Sequence, residues 1–131
     1  MISTKGRYAL RVLIDLAEQD TTTYVPLKEI AKRQGISEKY LQQIVKILVG
    51  KGLLTGISGK GGGYRLTASP EEYNVGEILE LMEGSLTPVA CLAPDTNTCS
   101  RSSHCKTLPM WKKFDNLVHD YFFHITIADL V

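Results

Sequence analysis

Hydrophobic residues at intervals of three and four predict a first helix over residues 3–19. Its apolar face consists of Ala9, Val12, Leu13 and Leu16. Ser3 or Thr4 is expected to cap the N-terminus, because a hydroxyl oxygen accepts a hydrogen bond from a free amide of the first turn. A polar run of aspartate and threonine at residues 20–23 breaks the pattern, so the helix is expected to end there.

Two shorter helices are predicted next, on either side of a tight turn. Pro26 suits the first turn of a helix, since its fixed φ and missing N–H cost nothing there. Gly35 allows the left-handed conformation that ends this helix. Ser37 then caps a helix that continues to about residue 50 with the apolar stripe Leu41, Ile44, Val45 and Leu48. Two short helices joined in this way predict a helix-turn-helix.

A β-hairpin is predicted directly after the second of these helices. Residues 53–57 and 64–66 have the composition of short strands, and a Gly-Lys-Gly-Gly-Gly loop separates them. A two-stranded hairpin in this position is a wing. The expected fold class is therefore mainly α with a small β-hairpin wing, and residues 1–68 are expected to form a winged helix-turn-helix DNA-binding domain.

The second half of the chain is predicted to contain two helices separated by a loop. Asn74 and Glu77 have the spacing of a capping box before a helix that Gly84 ends. A polar loop over residues 88–107 carries the cysteines, and a long last helix begins at Thr107 or Leu108. Residues 69–131 are thus expected to hold a connecting helix, a cysteine loop and a dimerisation helix.

The last helix has an apolar seam with alternating intervals of three and four residues. Such a heptad seam is typical of a helix that packs against a second copy, and its aromatic area exceeds what a one-sided cover of a small domain needs. We therefore expect a homodimer. The residues expected at its interface are Trp111, Phe114, Val118, Tyr121 and Ile125.

Charge divides unevenly between the two halves. Residues 1–66 contain eleven Lys and Arg against five Asp and Glu, whereas residues 67–131 contain four against nine. A basic half joined to an acidic half suits a nucleic-acid face backed by a segment that meets another partner. No apolar run approaches the roughly 20 residues that span a bilayer, and the first residues do not have the composition of a secretory signal, so we expect a cytoplasmic protein that makes no membrane contact.

Residues with DNA-binding chemistry lie on the second helix of the helix-turn-helix and in the wing. Glutamine can pair with adenine through two hydrogen bonds, lysine can reach a phosphate or a guanine edge, and glycines let a loop approach the backbone closely. The same polar residues would also suit a solvated surface. The candidates on the helix are Ser37, Lys39, Tyr40, Gln42, Gln43 and Lys46, and those in the wing are Lys60, Gly61, Gly62, Gly63, Tyr64 and Arg65.

The three cysteines, Cys91, Cys99 and Cys105, all lie in one polar loop with the spacing C-x7-C-x5-C. The closely spaced pairs of structural zinc sites are absent from this pattern. Three thiolates in one loop suit an iron–sulfur cluster with a fourth, labile ligand, while free thiols or a regulatory disulfide remain alternatives. No carboxylate pair or nucleophile–base set stands out, so we do not expect an enzyme.

Several motifs carry a family resemblance across nearly the whole chain. They are STKGRYA at 3–9, PLKEIA at 26–31, GISEKYLQQ at 35–43, GGGY at 61–64, VGEI at 75–78 and ITIADL at 125–130. With these motifs the chain resembles the Rrf2 family of bacterial winged-helix regulators. The resemblance implies a dimeric repressor or dual regulator of a pseudo-palindromic operator in double-stranded DNA, with Ser37, Tyr40, Gln42 and Gln43 on the reading helix and Gly61, Gly63 and Tyr64 in the wing.

The cysteine triplet resembles that of IscR-like and NsrR-like members, which implies a 2Fe–2S cluster bound by Cys91, Cys99 and Cys105. CymR-like members lack the triplet and respond to cysteine supply through a partner enzyme, so control by a protein partner or by thiol oxidation is the alternative.

This chain departs from the family pattern at three positions. Leu108 replaces the fourth-ligand histidine of IscR-like proteins, and Arg7 replaces the aspartate of NsrR-like ones. The fourth ligand is therefore open between His104, Asp95, a small thiol and water. Gln42 stands where IscR-like proteins have a glutamate, so charge-based selection of DNA sites is not expected from it.

Overall fold

The computed structural model describes residues 1–92 and 100–131. The helices are α1 (Thr4–Glu18), α2 (Leu27–Gln34), α3 (Glu38–Gly50), α4 (Val75–Glu83) and α5 (Leu108–Phe122), and the strands are β1 (Leu54–Ile57) and β2 (Gly63–Leu66). Single 3₁₀ turns occupy Pro70–Glu72, Ala90–Leu92, Ser102–His104 and Ile127–Leu130. The predicted fold class, mainly α with a β-hairpin, is confirmed. No helix of the described residues is long and apolar enough to cross a membrane.

Helices α1, α2 and α3 pack around one hydrophobic core through the faces that the sequence predicts. Ala9, Leu13, Leu41 and Leu48 are fully buried, and burying a leucine stabilises the folded state by roughly 1.5–3 kcal/mol. Gly35 ends α2 in the left-handed conformation at φ 65°, and its N–H donates to the carbonyl of Ala31. The tight turn between α2 and α3 therefore depends on a residue without a β-carbon.

A buried carboxylate fastens α1 to the end of α2. Asp15 is 3% exposed and accepts hydrogen bonds from Arg33 Nε at 3.0 Å and Nη2 at 2.7 Å. Gln34 Nε2 donates to the same carboxylate at 2.9 Å, and Arg11 donates to both the side chain and the carbonyl of Gln34. The Asp15 carboxylate raises the pKa of Arg33. This network fixes the angle between the first two helices.

The hairpin is antiparallel, with Leu54 opposite Leu66 and Ile57 opposite Gly63. Strand β2 also pairs on its other side with Val25, whose N–H donates to the Tyr64 carbonyl at 2.8 Å and whose carbonyl accepts from the Tyr64 N–H at 2.9 Å. Gly63 has a φ of 150°, and a β-carbon there would overlap the Val25 carbonyl. The chain before α2 and the hairpin are thus joined directly.

Helix α4 connects the C-terminal half to α1. Glu83, in its last turn, accepts hydrogen bonds from the Ser3 N–H at 2.9 Å, the Ser3 hydroxyl at 2.8 Å and the Gly6 N–H at 3.1 Å. Burial raises the pKa of the Glu83 carboxyl, but these hydrogen bonds outweigh it and hold the pKa below its usual value. Ser3 is the N-cap residue of α1, as predicted, but its side chain makes no cap hydrogen bond, because its hydroxyl donates to Glu83 and the Glu83 carboxylate accepts from the Ser3 and Gly6 amides.

The segment after α5 folds back onto the start of α4. The Asn74 side chain caps α4 by accepting from the Glu77 N–H at 3.0 Å, and its amide donates to the Phe123 carbonyl at 2.7 Å. The Val75 N–H donates to the Ile125 carbonyl at 2.9 Å, and Ile127 is fully buried. The C-terminal residues therefore complete the same core that α1 and α3 share.

Candidate nucleic-acid interface

Helix α3 turns a continuous polar face to solvent, opposite its buried stripe. The exposed side chains of this face are Ser37, Lys39, Gln42, Gln43 and Lys46. The Ser37 hydroxyl accepts from the Tyr40 N–H at 3.1 Å and so caps the helix, as predicted. Two lysines and two glutamines on a rigid helix can together bind phosphates and hydrogen-bond to base edges.

Tyr40 differs from the other candidates on α3, because it is half-buried against α1. Its ring meets the Tyr8 ring edge-on, with the centroids 5.7 Å apart. The Arg11 guanidinium lies 5.2 Å from the Tyr8 centroid on the same cluster. Tyr40 therefore holds the N-terminal end of α3 against α1.

A groove of about 560 Å³ separates α3 from the wing. The helix contributes Gln42, Lys46 and Val49 to its walls, and the hairpin contributes Gly56, Ile57, Ser58 and Tyr64. The predicted residues Gln42, Lys46 and Tyr64 are thus brought together across one concave surface. The sequence analysis missed Val49 and Ile57, which are 39% and 50% exposed. The only sequence signal for Val49 was an apolar side chain just outside the predicted buried stripe of α3, and that for Ile57 was an apolar side chain at the end of a predicted strand.

The wing candidates have different environments. Lys60 and Gly61 are exposed at the tip of the loop, whereas Gly62, Gly63 and Tyr64 are half-buried. Arg65 is half-buried and lies against the loop between α1 and α2, where its Nη1 donates to the Thr22 carbonyl at 3.1 Å. Only the tip of the loop therefore presents a free positive charge in the described part of the hairpin.

Helix α5 has no buried residue, and one of its faces is apolar and exposed. This exposed α5 face consists of Met110, Phe114, Leu117 and Tyr121, which are 53%, 43%, 58% and 66% exposed. Phe114 and Tyr121 of the expected seam belong to this face, whereas its other members have different surroundings. Trp111 is half-buried, Val118 packs against the protein's own core, and Ile125 lies beyond the end of the helix at Phe122, because its backbone pairs with Val75.

The described cysteines differ in exposure and acidity. Cys91 is exposed and Cys105 is partly exposed, and both are free thiols. Hydrogen bonds from Thr107, with its hydroxyl 3.5 Å from Cys105 Sγ, lower the pKa of the Cys105 thiol, and Leu108 and Arg101 add to this effect. Cys99, like Asp95, lies outside the described residues.

The candidates for a fourth ligand are not assembled around these thiols in the part of the chain that the structure describes. His104 Nδ1 is 2.9 Å from the Ser103 hydroxyl, and Leu108 is the first residue of α5. Within residues 1–92 and 100–131, no group of three histidine, cysteine or acidic side chains is placed to hold a metal ion. Among the described residues, the potential metal ligand beside the N-terminal end of α5 is the Cys105 thiolate.

The similarity to known proteins extends over nearly the whole chain. The family described as Rrf2, iron-dependent transcriptional regulator, matches residues 2–131. The HTH-type transcriptional regulator IscR of Vibrio campbellii is 32% identical over 130 residues, which are 99% of this chain and 76% of that protein. The chain belongs to the Rrf2 family.

Solved structures agree with this assignment. CymR, described as the global cysteine regulator of B. subtilis, superposes on this Rrf2 protein with a TM-score of 0.81 and is 34% identical, covering 99% of this chain and 95% of that one. T. potens IscR gives a TM-score of 0.76 at 34% identity, over 99% of this chain and 85% of that one. This Rrf2 protein is therefore a DNA-binding transcriptional regulator, and the expectation that it is not an enzyme is confirmed.

Proposed function

We propose that this Rrf2 regulator binds a pseudo-palindromic operator as a homodimer, with α3 in the major groove and the wing in the adjoining minor groove. The observation that carries the proposal is the polar face of α3, placed across one groove from Gly56, Ile57, Ser58 and Tyr64, which flank the glycine loop of the wing. Gln42 and Gln43 read base edges, while Lys39, Lys46 and Lys60 bind phosphates. Ser37 and the backbone of the glycine loop add close contacts.

Two-fold symmetry supplies the second reading helix. In the dimer, two copies of α3 enter successive major grooves about 34–36 Å apart. The exposed α5 face supports this arrangement, since four large apolar side chains along one helix form a surface that a second copy can cover. A helix seam with this spacing pairs well with an identical helix.

Salt-dependent binding tests the DNA contacts. A binding sequence is first selected from random duplexes, and its affinity is then measured as the salt concentration rises. We expect Lys46→Gln to weaken binding to all duplexes and to reduce the slope of log K against log salt by about one. Lys112→Gln, which removes an exposed charge on α5, is the matched control and should leave the slope unchanged. A wild-type protein without salt-sensitive affinity for any duplex would refute the proposal.

Gln42→Ala and Gln43→Ala test base reading separately from charge. Each exposed amide is expected to contribute about 1–3 kcal/mol of discrimination between the best and the mismatched base pair. The variants should therefore relax the selected sequence at one position while the salt slope stays as in the wild type. Unchanged selection in both variants would show that bases are read elsewhere.

The oligomeric state is tested by charging the exposed α5 face. Leu117→Asp places a carboxylate among the four apolar side chains and is expected to convert the dimer into monomers, as measured by sedimentation equilibrium. Asn116→Asp introduces the same charge at the adjacent exposed position and should leave the dimer intact. A wild-type monomer, or equal behaviour of the two variants, would exclude this interface.

We further propose that the cysteine loop binds an iron–sulfur cluster through Cys91, Cys99 and Cys105, with 2Fe–2S favoured. The exposed thiol of Cys91 and the acidified thiol of Cys105 fit this group in donor chemistry, because thiolates are the ligands that such clusters require. When bound, the cluster would supply sensitivity to oxidants, nitric oxide or iron supply. Cys105 lies three residues before α5, so a ligand bound there acts on the start of the dimer helix.

Anaerobic purification tests the cluster. Iron and sulfide are quantified with the visible absorption spectrum, and operator affinity is compared with that of Cys91→Ala and Cys105→Ala. Sensing through a cluster would be supported if the wild type contains iron and sulfide, if both variants lack them, and if the variants differ from the wild type in operator affinity. Absence of iron and sulfide together with unchanged binding in the variants would exclude it.

A second candidate is control by a protein partner or by thiol oxidation, without a cluster. The likeness to CymR, the global cysteine regulator of B. subtilis, favours it. Mass spectrometry of the thiols after peroxide treatment and a pull-down with enzymes of cysteine synthesis distinguish it from the cluster. An oxidised cysteine pair or a captured enzyme, found in protein without iron, would decide for this second candidate.

A further inference from the structure

Arg65 is the one charged residue on the two strands of the hairpin, and its guanidinium contacts the loop between α1 and α2. Its Nη1 donates to the Thr22 carbonyl at 3.1 Å, and its guanidinium lies 4.6 Å from the centroid of the Tyr24 ring. One side chain of β2 therefore contacts the loop between α1 and α2 by a hydrogen bond and by a cation–π interaction.

The loop that receives Arg65 is itself ordered by local hydrogen bonds. The Asp20 carboxylate accepts from the N–H of Thr22 at 2.9 Å and from its hydroxyl at 2.6 Å, and the Thr23 N–H donates to the Asp20 carbonyl at 3.1 Å. These bonds turn the Thr22 carbonyl into a fixed acceptor. Arg65 thus binds a preformed site and not an open loop.

The same loop holds the hairpin a second time through the backbone. Val25 exchanges two hydrogen bonds with Tyr64, and the missing β-carbon of Gly63 allows this close approach. Beyond these contacts, the loop of the wing extends into solvent, where Lys60 and Gly61 are exposed. The direction of the wing relative to α3 therefore depends on the contacts that residues 22–25 make with Tyr64 and Arg65 of β2.

We propose that Arg65 and Tyr24 form a wing anchor, and that Arg65 is a positioning residue for DNA binding and not itself a DNA contact. The anchor sets the width of the groove between α3 and the wing, so it decides whether Lys60 reaches the minor groove while α3 occupies the major groove. The consequence of the wing anchor for DNA binding rests on the proposed function. The anchor in the free protein does not depend on that function.

Hydrogen exchange in the free protein tests the anchor without DNA. In Arg65→Lys the charge is kept, but the planar guanidinium that both donates to Thr22 and stacks on Tyr24 is lost. We expect the Val25 and Tyr64 amides to exchange about tenfold faster than in the wild type, while the Leu41 amide in α3 is unchanged. Tyr24→Phe keeps the ring face and should exchange like the wild type. Wild-type rates at Val25 and Tyr64 in Arg65→Lys would overturn the proposal.

Operator binding tests the consequence. A phosphate contact tolerates Arg65→Lys, because lysine also binds phosphate, whereas a positioning role does not. We expect Arg65→Lys to lose about tenfold in affinity and to lose hydroxyl-radical protection only in the minor groove under the wing, with the major-groove protection intact at saturating protein. Tyr24→Leu, which removes the ring under the Arg65 guanidinium, should reproduce this loss, and the double variant should lose no more than either single one.

The outcomes separate the two proposals. If the wild type shows no salt-sensitive binding to any duplex, the proposed function fails and the exchange experiment alone decides the anchor. If the wild type binds but Arg65→Lys and Tyr24→Leu bind with wild-type affinity and footprint, the positioning role is overturned. An additive double variant would likewise show that Arg65 contacts DNA independently of Tyr24.

Discussion

Replacing Glu83 with glutamine should weaken the attachment of α1 to α4 while keeping the shape of the side chain. In the wild type one carboxylate oxygen accepts three hydrogen bonds, two from Ser3 at 2.9 and 2.8 Å and one from Gly6 at 3.1 Å. A hydrogen bond to a charged acceptor stabilises a protein by about 1.5–3 kcal/mol and one to a neutral acceptor by about 0.5–1.5 kcal/mol. Because Ser3 is exposed and water screens this end of α1, we expect a total loss of only about 1–2 kcal/mol.

The dependence on pH distinguishes this cause from a general loss of packing. The pKa of Glu83 is lowered from its ordinary value of 4.5 in the folded protein. Its contribution to stability is therefore complete above the unfolded pKa and is lost as the pH falls through the folded pKa. The difference between wild type and Glu83→Gln should be full at pH 7 and should begin to shrink below about pH 4.5, where the carboxyl of the unfolded chain takes up a proton, and it should vanish once the folded carboxyl is also protonated.

Urea unfolding at matched protein concentration, repeated from pH 7 down to pH 3.5, measures this difference. Glu71→Gln provides the control, since Glu71 has an exposed side chain and lies outside α4. It should change stability by less than about 0.5 kcal/mol at any pH. A Glu83→Gln difference that is independent of pH, or no larger than that of Glu71→Gln, would refute the role of the carboxylate as the cap of α1.

Substitutions at three further positions test the packing that supports the interface. Gly76→Ala should cost about 1–3 kcal/mol in thermal unfolding, because the added β-carbon overlaps the Phe123 ring; an unchanged melting temperature would contradict this packing. Asp15→Asn should cost about 2 kcal/mol in urea, since the Arg33 guanidinium loses its charged partner, and a neutral effect would show that the pair adds nothing. Ser37→Ala should cost about 1 kcal/mol through the lost cap of α3, while Ser37→Asp, which can also cap, should recover most of it.

The helices and the hairpin could be predicted because their signals are local. The stripe of α3 repeats within four residues, and the left-handed turn at Gly35 and the cap at Ser37 depend only on their immediate neighbours. For the same reason the polar face of α3 could be listed residue by residue. Local periodicity alone determined which side of each helix is buried in the N-terminal half.

Contacts between residues distant in sequence could not be predicted. The cap of α1 comes from Glu83, 80 residues after Ser3, and no local pattern links the two. Arg65 was predicted to contact DNA because a cation beside a glycine loop suggests phosphate binding, but no local pattern indicated its hydrogen bond to Thr22, 43 residues earlier. On α5, Leu117 and Val118 are equally apolar, and only the packing of the helix on α4 determines that Leu117 faces solvent.

The two ends of α5 are held very differently. Its C-terminal end is tied to the start of α4 by the bond from Asn74 to the Phe123 carbonyl and by the pairing of Val75 with Ile125, whereas its N-terminal end continues directly into the segment that carries Cys105. A rod of 15 residues is about 22 Å long. If the ligand or oxidation proposed for the thiols displaces the start of α5, the fixed end at Phe123 acts as the pivot, and the exposed α5 face tilts together with any second copy that covers it.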